Sequence, residues 1–170
     1  MRKYVLDTSI LLHFVRQNER AQKVESRLNL LGKDAIPIIA SVTMGEIEGF
    51  VQRQEWGPEK IKRLKDLVNR LAVIDIAAAD DKLMQAYATL WNYSKNALPD
   101  DKLGRSIGIG QNDVWIAALA RTAKADLVTT DRDYDHFHKV WLWVYKFYNT
   151  RPASLRISAP GRVFDFKGVA

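Results

Sequence analysis

Tyr4-Val5-Leu6-Asp7-Thr8-Ser9 is the stretch from which the fold is read. A short apolar run suited to a buried strand ends in a carboxylate and two hydroxyls, and Ile10, Leu11, Phe14 and Val15 then recur at helical spacing. The segment reads as strand, turn and helix, with Asp7 at the junction. The same grammar returns downstream. Residues 36–40 form a second buried-type strand, and Ser41-Val42-Thr43 opens a helix that carries Glu46 and Phe50. Between these units the spacing predicts a helix from Arg20 to Leu31, with Gly32 as its stop.

Pro58 suits the first turn of a further helix whose inner face is Ile61, Leu64, Leu67, Val68 and Leu71, and Val73 to Ile76 reads as a third strand. A helix is expected from Asp80 to Ser94, broken at Leu98-Pro99-Asp100-Asp101 and followed by a loop with Gly104, Gly108 and Gly110. Residues 112–124 are apolar on nearly every side, as a central helix requires. Leu127-Val128-Thr129 is a fourth strand delivering Asp131, and Val140 to Tyr145 is the fifth. Short apolar strands alternating with helices specify an α/β domain with a mostly parallel sheet covered on both faces. In such sheets ligands sit beyond the carboxyl ends of the strands, where the winding reverses, so Asp7 and Asp131 are expected there.

At 170 residues and 47% hydrophobic content the chain supports one core. It is read as one domain over residues 1–148, with a C-terminal extension over 149–170 that has no clear period. The absence of cysteine excludes disulfide scaffolds, thiol nucleophiles and cysteine-containing zinc sites, and it fits a cytoplasmic protein. Asp7 and His13 interrupt the N-terminal apolar stretch as no secretory signal would allow, and no run is long enough to span a bilayer. A formal charge of +6 favours an anionic partner.

Four acids stand at junctions of the pattern: Asp7 and Asp131 after strands, Glu46 early in a helix, Asp113 at the start of one. Each alone has a structural explanation, because carboxylates cap helix N-termini and complement the helix dipole. Converging on one sheet edge, they would repel one another unless a cation neutralised them. Mg²⁺, or Mn²⁺ in its place, takes oxygen ligands, keeps several waters and binds beside phosphate oxygens. Such a site hydrolyses phosphodiesters without a protein nucleophile. The chain offers no histidine at a catalytic spacing from these acids.

Four segments carry a family resemblance: Tyr4-Val5-Leu6-Asp7-Thr8-Ser9, Ser41-Val42-Thr43-Met44-Gly45-Glu46-Ile47, Gln111-Asn112-Asp113-Val114-Trp115-Ile116-Ala117-Ala118, and Leu127-Val128-Thr129-Thr130-Asp131-Arg132-Asp133-Tyr134. In that order they resemble the motifs of PIN-domain nucleases, specifically VapC-type toxins. The resemblance implies a PIN-like three-layer domain and a metal-dependent endoribonuclease, commonly dimeric and commonly inhibited by an antitoxin protein. It implies Asp7, Glu46, Asp113 and Asp131 as the catalytic acids, with Asp7, Asp113 and Asp131 holding metal. Asp133 is the alternative to Asp131, which is favoured because it directly follows the strand. Thr8 and Thr130 fall where hydroxyls would assist water or phosphate.

Lys102, Arg105 and Arg132 flank these acids in sequence and are candidates for RNA phosphates. Arg151, Arg156, Arg162 and Lys167 are read as a solvated tail rather than as an extension of that surface. Trp115 is assigned to the core, and Trp141 and Trp143 to alternating positions of the fifth strand. The helices between Ala21 and Leu71 serve either as core or as a groove for an antitoxin helix. The glycine loop lacks the Gly-Lys-Ser/Thr ending of a P-loop, which excludes that mode of nucleotide binding. Two further readings share the same residues: a PIN-type nuclease of RNA maturation or of DNA, and a catalytically silent RNA- or protein-binding module.

Overall fold

A computed structural model describes residues 1–78 and 80–148. The extension expected over 149–170 lies outside the described residues. Five strands form one sheet in the order β3-β2-β1-β4-β5: β1 (Arg2–Leu6), β2 (Ala35–Ala40), β3 (Ala72–Ile74), β4 (Asp126–Thr129) and β5 (Val144–Lys146). Every pairing is parallel. The helices are α1 (Thr8–Arg16), α2 (Glu19–Leu28), α3 (Ser41–Arg53), α4 (Pro58–Val68), α5 (Asp81–Ser94) and α6 (Gln111–Thr122). Among the described residues no helix is long and apolar enough to cross a membrane.

The period-two rule of strands sorts the core into two layers. Val5, Ile38, Ala40 and Leu127 face α5 and α6, where they pack with Leu90, Ile116 and Phe137. Their neighbours Tyr4, Leu6, Ile39 and Val128 face the opposite layer and meet Ile10, Val24, Ile47 and Leu64 from α1, α2, α3 and α4. Both faces of the sheet are thus covered, and the three-layer α/β expectation holds. α6 earns its nearly all-round apolar surface by being central: Val114, Ile116, Ala117, Ala118 and Ala120 are fully buried.

Three local expectations are corrected. The second helix ends at Leu28, because Asn29 takes the left-handed C-cap conformation (φ 48°) in place of Gly32. Gly32 serves a different purpose: a Cβ there would lie 2.1 Å from the Asn29 amide. The third strand is Ala72–Ile74, one residue earlier than its start in sequence suggests and shorter. The fifth strand is confined to Val144–Lys146, so Trp141 and Trp143 do not alternate along a ladder. After the buried Tyr134 and Phe137 the chain turns through Lys139 at φ 66°, and the Trp141 N–H donates to the Phe137 carbonyl. Trp141 packs against the core from a half-buried position, as does Trp115 on the Tyr87 ring, whereas Trp143 is exposed.

Candidate active site

β1 is the central strand, and the chain winds outward from it through β2 and β3 before returning to place β4 on its other side. The winding therefore reverses between β1 and β4, which opens a crevice at their carboxyl ends. Asp7 stands at that point. Its N–H donates to the Val128 carbonyl at 3.0 Å, which extends the β1–β4 ladder by one step, and its side chain is 5% exposed. Oδ2 accepts from Ser9 Oγ at 2.6 Å and from Thr129 Oγ1 at 2.8 Å, while the Tyr134 hydroxyl stands 3.5 Å from Oδ1.

The other acids arrive from three different elements. Glu46, in the second turn of α3, accepts from the Thr8 hydroxyl through Oε2 and from Asn112 Nδ2 through Oε1 at 2.8 Å. Asp113, in the first turn of α6, accepts from the Tyr134 hydroxyl at 3.0 Å. Asp131 follows β4, and its N–H donates to Thr129 Oγ1 at 2.8 Å. All four carboxylates line one cleft of about 420 Å³, whose far wall is α3. Gly45 and Gly49 keep that wall low, and Arg53 is its one cation. Gly110, at the cap of α6, is required by close approach rather than by flexibility: a Cβ there would lie 2.8 Å from Asp113 Oδ2.

The electrostatics follow from this crowding. Burial raises the Asp7 carboxyl above its usual range, opposed by the Ser9 and Thr129 donors and assisted by the charges of Asp131 and Glu46. Burial, with the charges of Asp7, Glu46 and Asp131, pushes Asp113 up to about 6 despite the Tyr134 hydrogen bond. Burial between two carboxylates holds the Tyr134 phenol far above its ordinary value, so it remains a donor at any physiological pH. A cluster of this kind stores repulsion that a cation relieves.

The donors around the cleft are oxygens, with no thiol or imidazole among them, and that set suits a hard divalent ion. Among the described residues no three acidic or histidine side chains are already drawn into a coordination cage. The carboxylates are instead held on hydroxyl and amide partners. This arrangement fits Mg²⁺, which uses few direct carboxylates and keeps its waters for the others to hold.

Of the residues singled out from sequence, Asp7, Glu46, Asp113, Asp131 and Thr8 come together in the cleft. Asp133 does not line it; its N–H donates to Asp131 Oδ1 at 2.9 Å, closing the turn that orients that carboxylate. Thr130 contributes a backbone N–H to Ser9 Oγ at 3.2 Å, while the hydroxyl that reaches Asp7 belongs to Thr129. Lys102 and Arg105 do not line the cleft, and Arg132 lies beside it in a neighbouring cavity with Asp131 and Tyr148. Ser9, Asn112, Thr129, Tyr134 and Arg53 carry no site role in the sequence reading. Only strand parity could have flagged Thr129, since it is the last β4 residue and is fully buried despite being polar.

A model of the PIN domain matches residues 4–140. Ribonuclease VapC2 of Haemophilus influenzae is 28% identical over 132 residues, which span 77% of this chain and 88% of that protein. Ribonuclease VapC2 of Rickettsia felis is 27% identical over 128 residues, 75% of this chain and 86% of its own length. Among solved structures, VapBC2 from Rickettsia felis bound to a DNA fragment from its promoter superposes with a TM-score of 0.66 at 23% identity, covering 85% of this chain and 98% of that one. VapBC-1 from nontypeable Haemophilus influenzae superposes with a TM-score of 0.65 at 21% identity, with the same coverage. The matched segment holds all four clustered acids, and the chain belongs to the PIN-domain family.

Proposed function

We propose that this protein is a Mg²⁺-dependent endoribonuclease and the toxin of a toxin–antitoxin pair. The observation that carries the reading is the convergence of Asp7, Glu46, Asp113 and Asp131, from four separate elements, on one cleft at the topological switch. Its ribonuclease class is supported by relatives named Ribonuclease VapC that align over most of the chain.

In this reading Asp7, Asp113 and Asp131 hold the ion, Glu46 acts beside them, and Mn²⁺ substitutes for Mg²⁺. Held by these carboxylates, the ion would supply Lewis-acid polarisation of a phosphodiester and activation of a water at neutral pH. The protein's own contribution is positional. Ser9 and Thr129 lock the Asp7 carboxylate, Tyr134 locks Asp113, and Thr8 with Asn112 fixes Glu46, so the oxygens meet substrate already oriented.

The antitoxin partner is supported by structural neighbours whose names describe toxin–antitoxin systems. A groove of about 570 Å³ between α1, α2 and α4 suits a helical segment: Phe14, Ala21, Leu31 and Leu67 offer apolar footing, and Glu25, Arg63, Asp66 and Arg70 offer charged edges. The homodimer implied by the resemblance is checked by sedimentation of the purified chain.

The deciding experiment is RNA cleavage with Mg²⁺, Mn²⁺ and chelator arms, comparing wild type with Asp7→Asn, Asp131→Asn and Asp133→Asn. Cleavage requires the metal, is lost in Asp7→Asn and Asp131→Asn, and survives in Asp133→Asn. RNA binding without cleavage in any metal would instead identify a silent binding module, and cleavage restricted to DNA would reject the ribonuclease.

A further inference from the structure

Helix α3 offers the acidic cleft more than Glu46. Glu46, Gly49, Phe50 and Arg53 follow the i, i+3, i+4, i+7 spacing of one helix face, and all four line the cleft. Arg53 stands two turns beyond Glu46, about 10 Å further along the axis. Along α3 the cleft therefore runs from the acids to an arginine.

Arg53 is held by its own helix. Its Nε donates to the Gly49 carbonyl at 3.2 Å, and the guanidinium lies 4.8 Å from the centroid of the Phe50 ring. Among the described residues no carboxylate comes within ion-pair distance of it, Glu46 included. The carbonyl and the ring thus keep this cation from closing onto the acids that share its cleft. Both terminal nitrogens are left for a ligand, in the fork geometry that grips phosphate.

Between Glu46 and Arg53 the wall is low. A Cβ at Gly45 or Gly49 would meet nothing within 4 Å, so packing does not require either glycine. Each weakens the interior of α3 relative to alanine, and what the missing side chains supply is room for a chain to lie along the helix.

We propose that Arg53, stacked on Phe50, binds the RNA phosphate next to the scissile one, so that the strand leaves the acids along α3. This rests on the ribonuclease reading of the cleft and adds to it a phosphate subsite. The scissile phosphate is served by the proposed metal site. Its neighbour on this wall would meet only carboxylates without a cation, and Arg53 is the one cation there. The ligand is phosphate rather than base: Phe50 already covers one guanidinium face, and the free edge carries only donors.

The test uses the full chain and two measurements. In the Asp7→Asn background with Mg²⁺ present, affinity for a labelled single-stranded RNA of about ten nucleotides is followed across a salt series. Adding Arg53→Ala lowers the slope of log affinity against log salt by about 0.7, the contribution of one phosphate contact on a single strand. Lys62→Ala, an exposed cation on α4, leaves the slope unchanged.

Cleavage is then compared, without Asp7→Asn, on a bare dinucleotide and on the same dinucleotide with an added 5′-phosphate or an added 3′-phosphate. One of the two additions raises wild-type kcat/KM roughly tenfold through KM, the worth of a hydrogen bond to a charged group. Arg53→Ala abolishes that gain, and the end that loses it assigns the direction of the strand on α3. Arg53→Lys keeps part of the gain, since an ammonium supplies the charge without the fork. Each gain is a ratio within one variant, so a general loss of folded protein cancels. Should the wild type cut only longer RNA, the salt slope alone decides. An unchanged slope, or equal gains in wild type and Arg53→Ala, overturns the subsite. A wild-type chain that cleaves no RNA, with a slope that still falls in Arg53→Ala, overturns the nuclease reading and leaves the subsite standing.

Discussion

The Tyr134 hydroxyl donates to Asp113 Oδ1 at 3.0 Å and stands 3.5 Å from Asp7 Oδ1, so one buried phenol bridges the acids of β1 and α6. Tyr134 is itself completely buried and lies on the loop after β4. It therefore ties together three segments that are far apart in sequence.

Tyr134→Phe keeps the ring and its packing while removing that bridge. The variant folds with a loss of about 1 kcal/mol, the net worth of a buried hydrogen bond. Mg²⁺ affinity falls at least tenfold, as expected when a group that orients the carboxylates proposed to hold the ion is removed. Calorimetric titration with Mg²⁺ reads this directly, and wild-type affinity in the folded variant would show that the bridge is only structural.

Asp113 gives the metal-free protein a signed pH dependence. Its carboxyl titrates at about 6 in the fold, against about 3.9 when unfolded. Between those values the folded state keeps a proton that the unfolded state has released. Stability thus falls as pH rises through this window, and the loss is complete above the folded value. Residual solvent contact limits the effect to the order of 1 kcal/mol. Asp113→Asn removes this titration, so relative to wild type its Tm should be about 3 °C higher at pH 7.5 than at pH 4. A pH-independent difference between the two Tm values would sink the assignment.

Thr129 and Thr130 separate the structural reading from the sequence reading. Thr129→Val removes a donor to Asp7 and the acceptor for the Asp131 N–H at a fully buried position, at a cost of about 2 kcal/mol. Thr130→Val, which keeps the backbone N–H that reaches Ser9, stays within about 0.5 kcal/mol. Chemical denaturation of both variants decides, and equal losses would contradict the geometry.

Gly49 trades stability for access. It lies inside α3, where an alanine meets no neighbouring atom within 4 Å. Gly49→Ala should therefore stabilise the helix by about 1 kcal/mol. The added methyl stands on the wall of the acidic cleft, so cleavage is slower through a higher KM. A stabilised variant with unchanged KM would show that the substrate does not approach this wall.

Much of this molecule was legible in sequence because its signals are local. Tyr4-Val5-Leu6 announced a buried strand, Asp7 its end, and the spacing of Ile10, Leu11, Phe14 and Val15 the helix beyond. Three strand-to-helix passages, β1 to α1, β2 to α3 and β3 to α5, specify an α/β sheet, and such sheets place junction acids on one edge. The fifth strand was misread because its aromatic run obeys packing around Phe137, not the ladder alone.

What sequence alone determined is the class of the domain and the position of the acids Asp7, Glu46, Asp113 and Asp131 at junctions of its pattern, since strand and helix periods and junction residues are properties of neighbours in the chain. Only the tertiary structure decided which groups hold those acids. Thr129 reaches Asp7 across 122 positions and Asn112 reaches Glu46 across 66, and no local periodicity encodes a hydrogen bond closed by folding. The same holds for which of Asp131 and Asp133 lines the cleft. A turn aims one carboxylate into the cleft and spends the next residue but one on its own backbone N–H.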